Sequence, residues 1–189
     1  MLKDLVLKSR SYRRFDQSVE VKEEDLRELV DLARLTPSGM NKQPLRYMLS
    51  YTKENNEKIF PTLKWAGYLT QWDGPEEGEK PSAYIVMLKD TSLGAYAMQD
   101  EGIVAQTILL GATEKGLGGC MFGSINRGEL KKQLDLEEKY EVAMVIALGK
   151  PIEEVVIDKL EQDGEFKYWR DENKVHHVPK RQLEDLIIK

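Results

Sequence analysis

The sequence is organised around one apolar run, Ile103-Val104-Ala105-Gln106-Thr107-Ile108-Leu109-Leu110-Gly111-Ala112. Only Gln106 and Thr107 interrupt its apolar character, whereas a helix on the surface of a soluble protein normally carries a polar face. The run therefore predicts a helix, from about Met98 to Thr113, that is buried on most sides in a core or a subunit interface. It is too short and too interrupted to span a membrane.

A short strand and a loop of small residues are predicted to follow this helix. Gly116 is suited to a left-handed C-cap, and the chain continues as Leu117-Gly118-Gly119-Cys120-Met121-Phe122-Gly123-Ser124. Its apolar residues predict a buried strand, and small residues after a strand let backbone amides approach a ligand closely. A lone cysteine such as Cys120 in an apolar strand is usually a small buried hydrophobe.

Length, charge and cysteine usage indicate one globular domain covering residues 1–189. This length is sufficient for a sizeable hydrophobic core, and the formal net charge of -5 argues against general nucleic-acid binding. One cysteine permits no intrachain disulfide, which suits a reducing cytoplasm. The N-terminus lacks the apolar run of a signal peptide. We therefore expect a cytoplasmic protein with neither nucleic-acid nor membrane partners.

Three arginines occur within five residues near the N-terminus, after a first helix that is predicted to end at about Lys8. We call residues 10–15 the arginine segment; it reads Arg10-Ser11-Tyr12-Arg13-Arg14-Phe15. The segment is either a solvated basic loop or an anion site. In an anion site, guanidinium forks would match phosphate oxygens and serine hydroxyls would add neutral donors.

A second polar loop lies between a predicted helix and a predicted strand. We call residues 36–44 the proline–serine loop; it reads Thr36-Pro37-Ser38-Gly39-Met40-Asn41-Lys42-Gln43-Pro44. Two prolines and a glycine indicate a rigid connection. It is either an ordinary helix-to-strand link or a site where Ser38, Asn41 and Gln43 read the edge of a planar heterocycle.

A long irregular segment from about residue 62 to residue 81 contains the aromatic residues Trp65, Tyr68 and Trp72. Glycine, proline and acidic residues separate these aromatic side chains, and no helical or strand periodicity is visible. Two interpretations stand side by side. The segment is a mobile lid over a flat ligand, or its aromatic side chains pack in the core.

The remaining pattern alternates helices and strands, which predicts an α/β or α+β protein with a mixed sheet. Helices are expected over residues 21–35 and 54–60, and over 129–134 after an Asn126 cap; strands are expected over 46–51, 83–88 and 141–148. The last of these strands is apolar throughout, which is typical of a central strand buried on both faces.

Several chemistries are disfavoured by the motifs. The sequence has no lysine-type phosphate loop, and a dinucleotide fingerprint starting at Gly116 fails because Met121 stands where the third glycine belongs. His176 and His177 are adjacent in a predicted extended segment, so they should face opposite ways and rarely share a metal ion. The sequence alone shows no general base that would activate a serine or a cysteine for nucleophilic catalysis.

Four blocks, in order, resemble the flavin-dependent nitroreductase family over most of the chain. They are the arginine segment, the proline–serine loop, the stretch Gly116 to Ser124, and the basic pair Lys180-Arg181. The resemblance implies an α+β fold with a mainly antiparallel central sheet flanked by helices. It also implies a homodimer with two FMN molecules at the interface. FMN would carry two electrons from NADH or NADPH to a small-molecule acceptor, in alternating half-reactions without a catalytic side chain.

The same resemblance assigns roles to residues. Arg10, Ser11 and Arg181, beside Lys180, would hold the FMN phosphate, and Arg13 would lie near the pyrimidine end of the ring. The partner subunit would contribute the proline–serine loop through Pro37, Ser38, Gly39 and Asn41. One ring face would be lined by Met121, Phe122, Gly123 and Ser124. The predicted lid residues Trp65, Tyr68 and Trp72 would meet the substrate.

Two departures keep alternatives open. Many family members have tryptophan after the Gln-Pro pair, where this chain has Leu45. The Pro37-Ser38-Gly39 form also occurs in the iodotyrosine dehalogenase branch, whose lid carries a glutamate, tyrosine and lysine set. Residues 62–81 do not show that set clearly, so reductive dehalogenation ranks second. A non-enzymatic flavin-binding or flavin-sensing protein is a third possibility.

Overall fold

The computed structural model describes residues 1–94, 98–161 and 163–188, which form five α-helices and two β-sheets. The helices are α1 (Leu2–Lys8), α2 (Glu23–Arg34), α3 (Lys53–Ile59), α4 (Met98–Glu114) and α5 (Arg127–Gln133). The strands are β1 (Phe15–Asp16), β2 (Leu45–Ser50), β3 (Ala83–Asp90), β4 (Gly118–Phe122), β5 (Tyr140–Pro151), β6 (Val155–Lys159), β7 (Trp169–Arg170) and β8 (His176–Lys180).

The main sheet is antiparallel and is built around β5. Strand β5 pairs with β3 along one edge and with β4 and then β1 along the other, while β2 extends the sheet beyond β3. Side chains from Val145 to Leu148 are fully buried, so the prediction of a central strand buried on both faces is confirmed. The expected α+β class with an antiparallel sheet is also confirmed.

Different helices cover the two faces of this sheet. Along β3, Ile85 and Met87 pack in one core with α2 and α4, whereas Tyr84 and Val86 pack in a second core with Ile59 of α3 and with α5. This alternation follows from the two-residue repeat of a strand. Because helices cover both faces of the sheet, each face forms its own hydrophobic core and neither is left to solvent.

Helix α4 is buried on one side only. Ala105, Ile108 and Ala112 have no exposed surface, yet Ile103 is 40% exposed. The predicted burial is therefore confirmed for the side that faces α2 and the sheet. The sequence also suggests a helix that starts at about Leu93 and runs into α4. In the structure Thr91–Leu93 is instead a separate 3₁₀ turn, and residues 95–97 lie outside the described residues.

A small second sheet follows β5, and no pattern in the sequence predicts it. Strand β8 pairs in parallel with β6 and antiparallel with β7. We call β6, β7 and β8 the C-terminal sheet. Its strands carry few fully buried side chains, and His176 is the only such residue among the five of β8. A polar, partly exposed strand of this kind lacks the apolar run that identifies a buried strand.

None of the helices in the described parts of the chain is long and apolar enough to cross a membrane.

Candidate functional site

The arginine segment lies against strand β4, which carries the predicted flavin loop. Ser11 forms a parallel bridge with Gly119, and the Tyr12 amide donates to the Gly119 carbonyl at 3.0 Å. Gly118 permits this close packing, because a Cβ there would lie 2.5 Å from the Tyr12 ring, whereas a Cβ at Gly119 would meet the Ala147 carbonyl oxygen of β5. The contact places the predicted phosphate-binding residues beside β4, the strand that leads into the loop at Gly123.

Arg10 and Ser11 present donors suited to an anion. Arg10 Nη2 donates to the Val6 carbonyl at 2.6 Å, which ties the side chain to α1. Arg10 Nε is buried and has no partner among the described residues, and Ser11 is exposed. A buried donor left unpaired is costly, so a bound phosphate oxygen would satisfy a need that the protein itself leaves open. The donor set fits the phosphate of FMN.

Arg13 is held by several neighbours. Its Nη1 donates to the Ser11 carbonyl at 3.2 Å and lies 3.1 Å from His176 Nε2. The Tyr168 ring lies against its guanidinium at 4.8 Å, and the Arg13 backbone amide donates to Glu153 at 2.8 Å. Arg13 is therefore fixed beside β4 by residues of the C-terminal region.

Arg14 has a different role from its neighbour. Its Nε and Nη2 donate to the two carboxylate oxygens of Glu79 at 2.7 and 2.5 Å. This paired geometry raises the pKa of Arg14 and lowers that of Glu79. Arg14 therefore anchors the end of the 62–81 segment. Because its guanidinium is already paired with Glu79, the donors of the arginine segment that remain for an anion are Arg10 and Ser11.

The last residues of β4 and the loop that follows it differ in their exposure to solvent. Met121 is half-buried, and Phe122 is buried with its ring 4.6 Å from that of Trp65. Gly123 and Ser124 are exposed, and a Cβ at Gly123 would meet no atom within 4 Å. The loop therefore offers open backbone at Gly123, while the Phe122 side chain belongs to the core.

The proline–serine loop is organised by a residue that the sequence motifs do not mark. Ser38 Oγ donates to Asp100 Oδ2 at 2.6 Å, and the Gly39 amide donates to Asp100 Oδ1 at 3.0 Å. Asp100 lies in the first turn of α4 and is only 5% exposed. An acid in the first turn of a helix is common, so nothing in the sequence distinguishes it.

Within one chain, the predicted site residues form separate groups. Pro37, Gly39 and Asn41 are exposed, and no hydrogen bond in the described ranges joins their loop to the arginine segment. Lys180 and Arg181 are also exposed, and they lie at the opposite end of β8 from His176, roughly 13 Å along the strand. The arginine segment is docked on β4, which leads into the predicted flavin loop, whereas no hydrogen bond or ion pair among the described residues joins it to the proline–serine loop or to the basic pair.

The 62–81 segment is anchored at both ends. The Lys64 amide donates to the Ser124 carbonyl at 3.1 Å, and the Phe15 amide donates to the Glu79 carbonyl at 2.9 Å. Trp65 is 8% exposed and packs in the core, as the core-packing interpretation expects. Trp72 is half-buried and packs against the same core, whereas Tyr68 is exposed and lies beside residues of the C-terminal region.

The aromatic side chains beyond Trp65 meet residues after 160. The Tyr68 ring lies 4.9 Å from that of Tyr168, and Arg170 lies 4.5 Å from the Trp72 ring. Tyr68 remains 47% exposed. Of the three predicted lid residues, Tyr68 is therefore the one with the most surface available to a ligand.

Titratable groups near the arginine segment are unsuited to proton transfer at neutral pH. Burial raises the pKa of Cys120 to about 11. Burial and the charges of Arg13 and Arg170 lower the pKa of His176 to about 4. His177 faces the other way and lies 3.0 Å from Asp158, as expected for adjacent residues of a strand. The described residues contain no cluster of His, Cys, Asp and Glu that could hold a metal ion.

A cavity of about 850 Å³ lies elsewhere, between the start of α2, helix α3 and residues 77–84. It shares no residue with the predicted site. Its size alone does not connect it with flavin chemistry.

The sequence model of the nitroreductase family matches residues 6–72 and 78–150, which is most of the chain. The chain belongs to the nitroreductase family. It is therefore a flavin oxidoreductase in general type, and its antiparallel sheet with flanking helices is the nitroreductase fold.

The relatives and the solved structure that match this chain do so over most of their own length. "Putative NAD(P)H nitroreductase YodC" of Bacillus subtilis (strain 168) is 26% identical over 178 residues, covering 78% of this chain and 88% of the relative. The iodotyrosine deiodinase of Thermotoga neapolitana is 25% identical over 167 residues, covering 80% and 89%. The solved FMN-dependent nitroreductase of Clostridium difficile R20291 has the same fold, with a TM-score of 0.65, 24% identity and coverage of 84% and 91%.

Proposed function

We propose that this protein transfers two electrons from NADH or NADPH to an organic acceptor, such as a nitroaromatic or a quinone, with FMN as its cofactor. The observation that carries the proposal is the docking of Ser11 and Tyr12 on Gly119. This contact docks the segment that carries the anion donors on β4, the strand that leads into the open backbone at Gly123. When bound, FMN supplies the two-electron chemistry, and the protein binds, orients and shields it.

The roles of the residues follow from their chemistry. Arg10 and Ser11 would hold the phosphate, since Arg10 Nε is an unpaired buried donor and Ser11 is exposed. The family resemblance also assigns Lys180 and Arg181 to this phosphate, but no hydrogen bond or ion pair among the described residues places them beside Arg10. Arg13 would place a fixed positive charge near the ring, where it favours the reduced form of the flavin electrostatically.

No side chain is needed as a proton carrier in this proposal. With pKa values of about 11 and about 4, Cys120 and His176 are both neutral at pH 7 and cannot readily exchange protons there. The exposed loop at Gly123 gives solvent a route to the site. Water would therefore supply the protons that accompany reduction of the acceptor.

We further propose a homodimer in which the partner subunit's Ser38, Gly39 and Asn41 complete the FMN site. Two features support this arrangement. The proline–serine loop has no hydrogen bond to the arginine segment of its own chain within the described ranges. Apolar side chains are also exposed on α1, on α4 and near the C-terminus: Leu2, Val6, Leu7, Ile103, Leu186 and Ile187.

The test begins with the visible spectrum of the purified protein. We expect flavin absorbance, release of FMN rather than FAD on denaturation, and oxidation of NADH or NADPH that depends on an added nitroaromatic or quinone. Alternate binding of donor and acceptor should give ping-pong kinetics. A protein that gains no flavin absorbance after incubation with FMN contradicts the proposal.

A matched pair of variants tests the site itself. Arg10→Ala should weaken FMN binding by about tenfold or more, since a charge-assisted hydrogen bond contributes on the order of 1.5–3 kcal/mol. Arg27→Ala removes the same charge from an exposed position on α2, where the arginine pairs with Glu23, and should leave FMN affinity unchanged. Equal affinities for the two variants would exclude Arg10 from the site.

Reductive dehalogenation is the second candidate, because an iodotyrosine deiodinase is among the relatives. That branch needs a lid with a glutamate, a tyrosine and a lysine. Of the three glutamates in the 62–81 segment, Glu77 and Glu79 are paired with Lys80 and Arg14, whereas Glu76 has no ion pair among the described residues. Release of iodide from iodotyrosine at a rate above that of nitroaromatic reduction would reverse the ranking.

A further inference from the structure

Residues beyond the family match surround Arg13. The match ends at residue 150, whereas Glu153, Tyr168 and His176 all contact Arg13. His176 makes the one side-chain hydrogen bond to the guanidinium among the described residues. It is also 1% exposed, so neither solvent nor a ligand reaches it without movement of the C-terminal sheet.

The geometry fixes the protonation of this histidine. Arg13 Nη1 lies 3.1 Å from His176 Nε2, and a guanidinium has only donors. Nε2 must therefore be the acceptor, which leaves the imidazole neutral with its proton on Nδ1. The charged groups around the ring, Arg13 and Arg170, both oppose a positive imidazole, and burial acts in the same direction.

Simple packing does not explain why a histidine is used here. His176 Nδ1 is buried and has no partner among the described residues. An unsatisfied buried donor destabilises the folded state, and a leucine would fill a similar volume without that cost. The feature that leucine could not supply is the acceptor at Nε2, which faces Arg13.

We propose that His176 is a positioning residue: its neutral imidazole accepts a hydrogen bond from Arg13 and holds the guanidinium where it acts on the flavin. Tyr168 assists from the side, with its ring 4.8 Å from the Arg13 guanidinium and 5.1 Å from the His176 ring. Arg13 Nε and Nη2 have no partner within the described residues, so they remain able to face a ligand. The inference rests on the proposed function, because its effect on the flavin passes through Arg13.

The first test is a double-mutant cycle on the midpoint potential of FMN-saturated protein. His176→Leu removes the acceptor and should lower the potential part of the way toward the value for Arg13→Ala. His176→Gln retains an oxygen acceptor near the position of Nε2 and should stay closer to the parent. In the Arg13→Ala background, both changes at His176 should leave the potential unchanged.

A purely structural role for His176 would give a different result. Changes at His176 would then lower stability equally in the parent and in the Arg13→Ala background. Any effect on the midpoint potential would not depend on the presence of Arg13. Equal shifts in the two backgrounds, or an unchanged potential in His176→Leu, would overturn the positioning role. If His176→Leu does not fold, His176→Gln and the protonation state of His176 in the parent still decide the question.

The second test measures that protonation state and needs no flavin. Nitrogen-15 NMR of the histidine side chains in the apoprotein at pH 7 should show His176 protonated at Nδ1 only, and Arg13→Ala should raise its titration midpoint. A proton on Nε2 would contradict the inference. Failure of the parent protein to bind FMN would overturn the proposed function, whereas normal binding with one potential in all His176 variants would overturn only the role of His176.

Discussion

Arg13 and Arg14 are adjacent in the sequence but have different environments. Arg14 is occupied by both carboxylate oxygens of Glu79. Arg13 has no such pairing and keeps part of its guanidinium free, with His176 as its side-chain partner. Neighbouring residues of an extended segment face opposite ways, so one arginine serves the fold and the other is available to a ligand.

We predict that Arg13→Ala makes bound FMN harder to reduce. Removing a partly exposed positive charge should destabilise the reduced flavin relative to the oxidised flavin by about 1–2 kcal/mol. This change lowers the two-electron potential by about 20–45 mV. The measurement is the midpoint potential of FMN-saturated Arg13→Ala against the parent, with Arg27→Ala as the control. An unchanged or raised potential would mean that Arg13 serves only the phosphate or the solvent.

Two glycines of the β4 region should respond differently to alanine. At Gly119 a Cβ would lie 2.4 Å from the Ala147 carbonyl oxygen and 2.7 Å from Leu109. We expect Gly119→Ala to lower the free energy of unfolding by about 1–3 kcal/mol. Gly123→Ala has open space and should change stability by less than about 0.5 kcal/mol, while it weakens FMN binding.

Chemical denaturation and FMN titration of both variants check this pair of predictions. The parent protein is the reference for both. Comparable losses of stability in Gly119→Ala and Gly123→Ala would show that the loop after β4 is packed as tightly as the strand.

His176 should also make stability depend on pH. Its pKa is lowered to about 4 in the folded protein by burial and by Arg13 and Arg170, compared with an ordinary value of 6.5. Below pH 6.5 the unfolded chain therefore binds a proton that the folded chain does not, and stability falls as the pH falls. The contribution is about 2 kcal/mol between pH 7 and pH 4.5.

The pH prediction is measured as a difference between two proteins. Urea denaturation of the parent and of His176→Gln at several pH values cancels the contributions of carboxylates and of His177. The parent should lose about 2 kcal/mol more than the variant on acidification. Parallel pH curves would show that His176 accepts a proton readily in the folded state.

At the scale of elements, the C-terminal sheet is joined to the main body through polar groups. The Glu153 side chain has no exposed surface; it accepts from the Arg13 amide at 2.8 Å and from Arg170 at 2.6 Å. Arg170 in turn lies against Trp72. A single carboxylate thus links the arginine segment, the 62–81 segment and the C-terminal sheet.

We predict that Glu153→Gln destabilises the protein by about 2–4 kcal/mol, because it leaves the largely buried charge of Arg170 without its partner. In a hydrogen-exchange experiment, the backbone amides of β7 and β8 should lose protection first. The control is Glu161→Gln, whose pair with Lys159 is exposed and should contribute less than about 0.5 kcal/mol. Similar effects of the two substitutions would contradict the linking role of Glu153.

At the scale of the whole molecule, one chain leaves apolar surface without a cover. Helix α1 buries no residue, and Leu2 and Leu7 are at least half exposed. The exposed side of α4 adds Ile103. An apolar surface of this extent is unusual for a monomer and is typical of a subunit interface.

We therefore predict a dimer in solution. Light scattering of the flavin-loaded protein should give twice the chain mass of 21.7 kDa. Replacing Leu7 and Ile103 together by glutamate should shift the protein toward monomer and release FMN, while Lys3→Glu, a polar change on the same α1, should do neither. A flavin-loaded monomer of the parent would contradict both the dimer and the shared site.

Periodicity and spacing in the sequence determined much of the architecture. The apolar runs in α4, β4 and β5 identified the central helix and two strands of the main sheet. These features are local: burial of a whole segment leaves a continuous apolar pattern in the chain. The family motifs likewise lie in short contiguous blocks, so the amino-acid sequence alone is enough to recognise the resemblance.

Only the tertiary structure decided how the polar residues are shared between folding and function. Arg14, Asp100 and Glu153 find their partners 65, 62 and 140 residues away in the chain. No periodicity encodes such pairs, because each depends on where β-strand pairing brings distant segments. The C-terminal sheet escaped prediction for the same reason: its strands are held by hydrogen bonds and ion pairs rather than by an apolar run, and these contacts exist only after the chain has folded.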